Sequence, residues 1–140
     1  MKSVRLPLSY APKKGTIVTA DFYPGFKTPE MVKKRLAVIV SPPIRQRQGL
    51  CTIVPLSLSE PTPVMPYHMS LDIPFELPVG WGNQPRWLKG DMICAVGWHR
   101  LDLLRIGRAE HGKRVYQTSI LDDDTMKSIH NCVLKGLGLA

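Results

Sequence analysis

Residues 30–41 read EMVKKRLAVIVS, and the change of character inside this stretch decides the fold. The basic run Lys33-Lys34-Arg35 stops at Leu36 to Ser41, a continuous apolar segment ended by Pro42-Pro43. A short apolar run between turn residues reads as a strand buried on both faces, because a strand with one wet face would alternate. Leu50 to Leu56 has the same character, so both are expected to be central strands, joined by the basic loop Arg45-Gln46-Arg47-Gln48.

Working outward, Thr16 to Phe22 (TIVTADF) is β-branched, opened by Gly15 and closed by Pro24-Gly25, which predicts a first strand. Tyr67 to Ile73 alternates apolar with polar residues, as a strand with one exposed face does, and Met92 to Val96 predicts another. Leu103 to Ile106 and Val115 to Ser119 are weaker strand candidates around a polar turn, Arg108 to Arg114. Pro74 to Lys89 reads as a long loop anchored by Phe75, Trp81 and Trp87. Near the C-terminus the period changes: Met126, Ile129, Val133 and Leu137 fall at helical spacing. Asp122, Asp123 and Asp124 suit the helix start, Lys135 suits its end, and Gly136 or Gly138 can stop it.

The 13 prolines and 11 glycines punctuate the chain too often for a helical bundle. The expected fold is therefore mainly β, a small, partly open β-barrel covered by a C-terminal α-helix. The 140 residues are expected to form one domain, residues 1–140, with residues 1–14 as a basic N-terminal extension. At 44% hydrophobic and 21% charged residues, the composition excludes a disordered chain. The longest aliphatic stretch, Leu36 to Val40, is far short of the roughly 20 residues that span a bilayer. The N-terminus lacks the apolar core of a signal peptide, so a cytoplasmic protein away from the membrane is expected. Cys51, Cys94 and Cys132 are far apart and read as reduced, buried thiols. With the four histidines equally scattered, no metal or other cofactor is expected.

Lys and Arg total 19 against 11 Asp and Glu, a net charge of +8, and the surplus is local. Residues 1–50 hold ten basic residues against Asp21 and Glu30, whereas residues 51–140 hold nine of each sign. This asymmetry suggests a face that binds a polyanion, with Lys33, Lys34, Arg45 and Arg47 as its contacts. Trp81 and Trp87, beside Arg86 and Lys89, would add base stacking if the polyanion were single-stranded nucleic acid. On the residues alone, Arg35 reads as a strand-edge cation or a partner of Asp21, and Ser57, inside LSLSEPTP, as a turn residue with a side-chain to backbone bond. The tryptophans read equally well as loop anchors.

Four segments, in their order and spacing, resemble the PemK/MazF toxin family over about Gly15 to Leu139. They are GTIVTADF (Gly15 to Phe22), EMVKKRLAVIVS (Glu30 to Ser41), CTIVPLS (Cys51 to Ser57) and LDDDTMKSIHNCVLKGLGL (Leu121 to Leu139). Thr16 stands where the family usually has an acidic residue, and Leu36 where it usually has proline. The resemblance implies an SH3-like barrel of the CcdB/PemK type that forms a homodimer. It also implies a metal-independent endoribonuclease toxin, cutting single-stranded RNA to a 2′,3′-cyclic phosphate and a 5′-hydroxyl and neutralised by a cognate antitoxin. Arg35 and Ser57 take the two best-matched active-site positions, and Glu30 takes the loop glutamate. The family's third position, an acidic residue or glutamine, meets GDMICAVGWHRLD here, where Asp91 is the nearest carboxylate.

The implied chemistry is intramolecular, so the enzyme must orient the 2′-hydroxyl, stabilise a dianionic phosphorane and manage two protons. Arg35 suits the phosphorane, as a planar donor fork that stays charged. Ser57 can bond a nonbridging oxygen, Glu30 or Asp91 can accept the 2′-hydroxyl proton, and His68 or His99 can supply the leaving-group proton. The competing reading is a non-catalytic module of the same fold that binds nucleic acid or a protein partner. A gyrase poison of the CcdB type is disfavoured, because the chain ends Gly-Leu-Gly-Leu-Ala without a terminal tryptophan.

Overall fold

The computed structural model describes Leu8 and residues 10–140, so most of the proposed extension, including Lys2 and Arg5, lies outside the described residues. The strands are β1 (Ile17–Ala20), β2 (Arg35–Ile39), β3 (Leu50–Ser57), β4 (His68–Leu71), β5 (Arg86–Lys89), β6 (Cys94–Gly97), β7 (Leu101–Leu103), β8 (Arg105–Arg108) and β9 (Arg114–Tyr116). One helix, α1 (Asp123–Gly136), follows them. Seven strands form an antiparallel sheet in the order β4-β5-β3-β2-β1-β7, with β6 also on β3, and β8 pairs β9 separately. The mainly β architecture with a terminal helix is the one expected. The strand path is open, with β4 and β7 at its ends.

Strand β2 shows why the apolar run has no alternation. Leu36 and Val38 enter one core, with Val54, Leu56, Leu71 and Leu88, while Ala37 and Ile39 enter a second, with Val18, Phe22, Ile53 and Leu101. Strand β3 holds three neighbours. Its Ile53–Pro55 segment pairs with β2, Leu50–Ile53 pairs with β6 and Leu56–Ser57 pairs with β5. Pro55 falls in the gap between the β6 and β5 registers, where its missing N–H removes no ladder bond on that edge.

Helix α1 closes the first core with Met126, Ile129, Cys132 and Val133. Burying a side chain such as Ile129 contributes roughly 1.5–3 kcal/mol, and Ile129→Ala is the single change expected to loosen the helix most. The start is the expected one, since the Asp122 carboxylate accepts from the Thr125 N–H at 2.7 Å. The end is set by Gly138, whose φ of 74° suits glycine, while Gly136 remains inside the helix. His130 Nε2 lies 3.0 Å from the Val40 carbonyl oxygen and ties the helix to the end of β2.

Two elements differ from expectation. The strand predicted for Leu103 to Ile106 breaks at Leu104, which is buried in the first core; β7 stays beside β1 and β8 leaves to pair with β9. Pro74 to Lys89 is not all loop, because Arg86–Lys89 joins β3 and β4 as β5.

Candidate active site

Antiparallel partners share a face, and the β2–β3 register pairs Ala37 with Pro55. Continued two residues beyond the paired stretch, that register brings Arg35 level with Ser57. Trp87 is the partner of Ser57 on β5 and of Ser70 on β4, and Lys89 is the partner of His68. Arg35, Ser57, Trp87, Lys89 and His68 therefore occupy one face of the sheet, at the end where the apolar core gives way to polar residues.

Arg35 makes no ion pair with a carboxylate among the described residues, and its Nε is buried without a hydrogen-bond partner. The Asp21 partnership does not form; the Asp21 carboxylate accepts from the Tyr23 N–H at 3.1 Å. Ser57 is buried, and its Oγ accepts from the Ser59 N–H at 3.2 Å. That bond uses a lone pair and leaves the hydroxyl hydrogen to donate. The turn role and an active-site role are thus compatible in Ser57.

The two candidate carboxylates converge. Glu30 and Asp91 line one recess of about 310 Å³, together with Pro55, Met31, Ile93 and Cys94. Pro55 lies two residues before Ser57 on the same face, which connects the recess to the Arg35–Ser57 pair. Glu30 is placed by a turn in which its Oε1 accepts from the Lys27 N–H at 3.1 Å. Burial, and after it the Glu30 charge, pushes the Cys94 thiol up. Asp91 sits on a 3-10 turn, Gly90–Met92.

His68 Nε2 lies 3.8 Å from Asp91 Oδ1, with the imidazole 9% and the carboxylate 40% exposed. His68 Nδ1 accepts from the Met65 N–H at 3.0 Å, so the neutral ring carries its hydrogen on Nε2, facing Asp91. Nothing in the sequence marks this pair, because it follows from the β4–β5 register.

The profile of PemK-like, MazF-like toxins of type II toxin-antitoxin systems matches residues 13–137. The chain belongs to this family. YifN of Escherichia coli (strain K12) is 25% identical over 150 residues, which cover 94% of this chain and 95% of YifN. MazF (Form-I) from Deinococcus radiodurans superposes with a TM-score of 0.60 at 18% identity, over 93% of this chain and 99% of that one. An endoribonuclease from Mycobacterial species, solved in complex with its cognate antitoxin, gives a TM-score of 0.57 at 18% identity, over 93% and 98% of the two chains.

Within this PemK/MazF chain, the expected RNA contacts do not form one patch. Lys33 and Lys34 are exposed before β2, and Arg45 and Arg47 are exposed beyond its other end. Five strand residues separate the pairs by roughly 17 Å. Arg86, expected as an RNA contact, is buried on the core side of β5: it donates to the Trp81 carbonyl oxygen, and its guanidinium lies 5.7 Å from the Trp81 ring centre. Burial, and after it the positive charge of Arg35, lowers the Arg86 pKa. Trp81 packs against the first core, which leaves Trp87 and Lys89 as the members of that segment on the site face. Among the described residues, no helix is long and apolar enough to cross a membrane.

Proposed function

We propose that this PemK/MazF family member is a metal-independent endoribonuclease that cuts single-stranded RNA by transesterification, works as a homodimer and is held inactive by a cognate antitoxin. Family membership supports the toxin role, and the Mycobacterial relative named as an endoribonuclease with its cognate antitoxin supports the activity and the partner. One strand edge of β3 passing from β6 to β5 supports reading the sheet as a small SH3-like barrel left open between β4 and β7. The observation that carries the reading is the buried, unpartnered Nε of Arg35 level with Ser57, beside a recess holding two carboxylates.

In this reading the 2′-oxygen attacks its own phosphorus, a bond to phosphorus forms, and the bond to the 5′-oxygen breaks. Glu30 and Asp91 are the candidates to take the 2′-hydroxyl proton. As an imidazolium, its Nδ1 having given up the bond from Met65, His68 would give its Nε2 proton to the departing 5′-oxygen and return to the neutral ring. Arg35 holds the phosphorane oxygens by charge-assisted bonds, and the Ser57 hydroxyl donates to one of them. Trp87 and Lys89 hold the flanking nucleotide by stacking and charge.

The test is incubation of the purified protein, freed of antitoxin, with a mixed-sequence RNA in EDTA. Fragments with 2′,3′-cyclic phosphate and 5′-hydroxyl ends are expected. RNA that is bound but left intact would make the protein a non-catalytic binding module.

A further inference from the structure

We propose that the β8–β9 hairpin, together with Lys34, is a clamp for the phosphates of single-stranded RNA outside the cleavage site; this rests on the ribonuclease reading above. The hairpin is a two-stranded ribbon hydrogen-bonded to no other strand of the sheet. Nearly every residue from Arg105 to Tyr116 is exposed, so the ribbon adds little to either core. Two-stranded ribbons are marginal in water without such burial.

Its charges oppose its own stability. Arg108 and Arg114 are direct cross-strand partners, a like-charge pairing that weakens a ladder. Arg105 and Lys113 add to them, Glu110 is the lone carboxylate of the ribbon, and none of these cations is ion-paired among the described residues. A polyanion laid across the ribbon would remove that repulsion.

The position of the ribbon favours RNA as the polyanion. Lys34, Arg105, Arg114 and Tyr116 line a recess of about 340 Å³ with Thr19 and Asp102. Lys34 immediately precedes Arg35, about 3.8 Å away between Cα atoms; the recess, with Thr19 and Asp102, opens on the opposite face of the sheet from Arg35, so a strand held at Arg35 reaches it by passing over the end of β2 at Lys34. Tyr116, directly opposite Arg105 in the ladder and part exposed, offers a ring on which a base can stack. The charge count missed this surface because Asp122, Asp123 and Asp124 at the helix start cancel it in any sum over residues 51–140.

The test compares full-length wild type with the triple variant Arg105→Ala/Arg108→Ala/Arg114→Ala. The probe is a single-stranded oligoribonucleotide blocked by 2′-O-methyl groups, and binding is followed by fluorescence anisotropy across a salt series. The variant should bind at least tenfold more weakly, and the slope of log affinity against log salt should fall by about 2, since each phosphate contact on a single strand contributes about 0.7. Its KM for cleavable RNA should rise. Thermal unfolding should be unchanged or slightly raised, and the corresponding triple Arg→Lys variant should keep most of the slope. An unaltered slope in the Ala variant, with wild type still binding RNA, overturns the clamp and leaves the ribonuclease reading standing. Absence of RNA binding by wild type overturns both. Loss of binding to poly-L-glutamate with RNA binding intact would make the ribbon a docking site for an acidic protein segment and overturn the clamp.

Discussion

Gly136, at the end of α1, lies in backbone contact with Asp91: a Cβ built on it would stand 2.9 Å from the Asp91 Cα. The contact is reciprocal in kind, since a Cβ on Gly90 would meet the Cys132 carbonyl group at 2.7 Å. Two glycines thus let the helix seat the turn that presents Asp91 to the recess and to His68. In an open helical position Gly→Ala stabilises by about 1 kcal/mol. Here Gly136→Ala must push backbone against backbone, so it should destabilise by about 1–3 kcal/mol and slow cleavage several-fold. Thermal unfolding and a cleavage assay on the same preparation check both. A raised Tm would show that the turn yields freely.

Arg35→Ala should reduce cleavage by about 100-fold or more, the effect of losing an oxyanion donor worth ~3 kcal/mol. The fold should survive, because removing Arg35 takes a like charge away from the buried Arg86. Ser57→Ala should cost less, about tenfold, since a neutral hydroxyl bonds a developing charge more weakly than a guanidinium does. Single-turnover rates with circular dichroism spectra separate catalysis from folding.

Cys94 reports on the recess. The reactive form is the thiolate, and burial followed by the Glu30 charge disfavours it. Iodoacetamide should therefore label Cys94 slowly at pH 8. Glu30→Gln removes the negative charge, so the pH–rate profile for Cys94, read on its peptide by mass spectrometry, should move to lower pH. An unmoved profile would mean that Glu30 does not face Cys94.

The two tryptophans should separate. Trp81→Ala removes packing on the first core and the ring under Arg86, and should destabilise by about 2–3 kcal/mol. Trp87→Ala, on the site face, should instead weaken RNA binding by about 1–3 kcal/mol with a smaller change in Tm. The reverse pattern would move the RNA contact to Trp81.

The Thr125 hydrogen bonds hold the Asp122 carboxyl below the usual carboxylate range. A depressed folded-state pKa contributes stability above the unfolded-state value, about 3.9, and loses it as pH falls through the folded-state value. Asp122→Ala should therefore lower Tm by a constant amount from pH 5 to 8, and the difference from wild type should shrink below about pH 4.

Strands β2 and β3 and the helix were legible in the sequence, because a continuous apolar run and a 3.6-residue period each state which surfaces must leave water. Arg35, Ser57 and Glu30 were named through the family resemblance alone, and the β2–β3 pairing ends at Ala37 and Pro55, two residues short of Arg35 and Ser57. The break at Leu104 was not legible, since Leu103 to Ile106 reads as one apolar segment until the first core claims Leu104. Arg86, named as an RNA contact, is buried for a related reason: a guanidinium goes under only where a carbonyl and a ring are waiting, and Trp81 supplies both.

Burial pattern and helical period are properties of contiguous residues, so the sequence alone determined the mainly β architecture, its two-sided central strands and the terminal helix. Which polar groups meet depends on register between strands far apart in the chain and on how closely backbones approach. Only the tertiary structure could therefore bring His68 to Asp91, place Glu30 and Asp91 in one recess, and set Arg108 against Arg114 on a ribbon that the net charge of its region conceals.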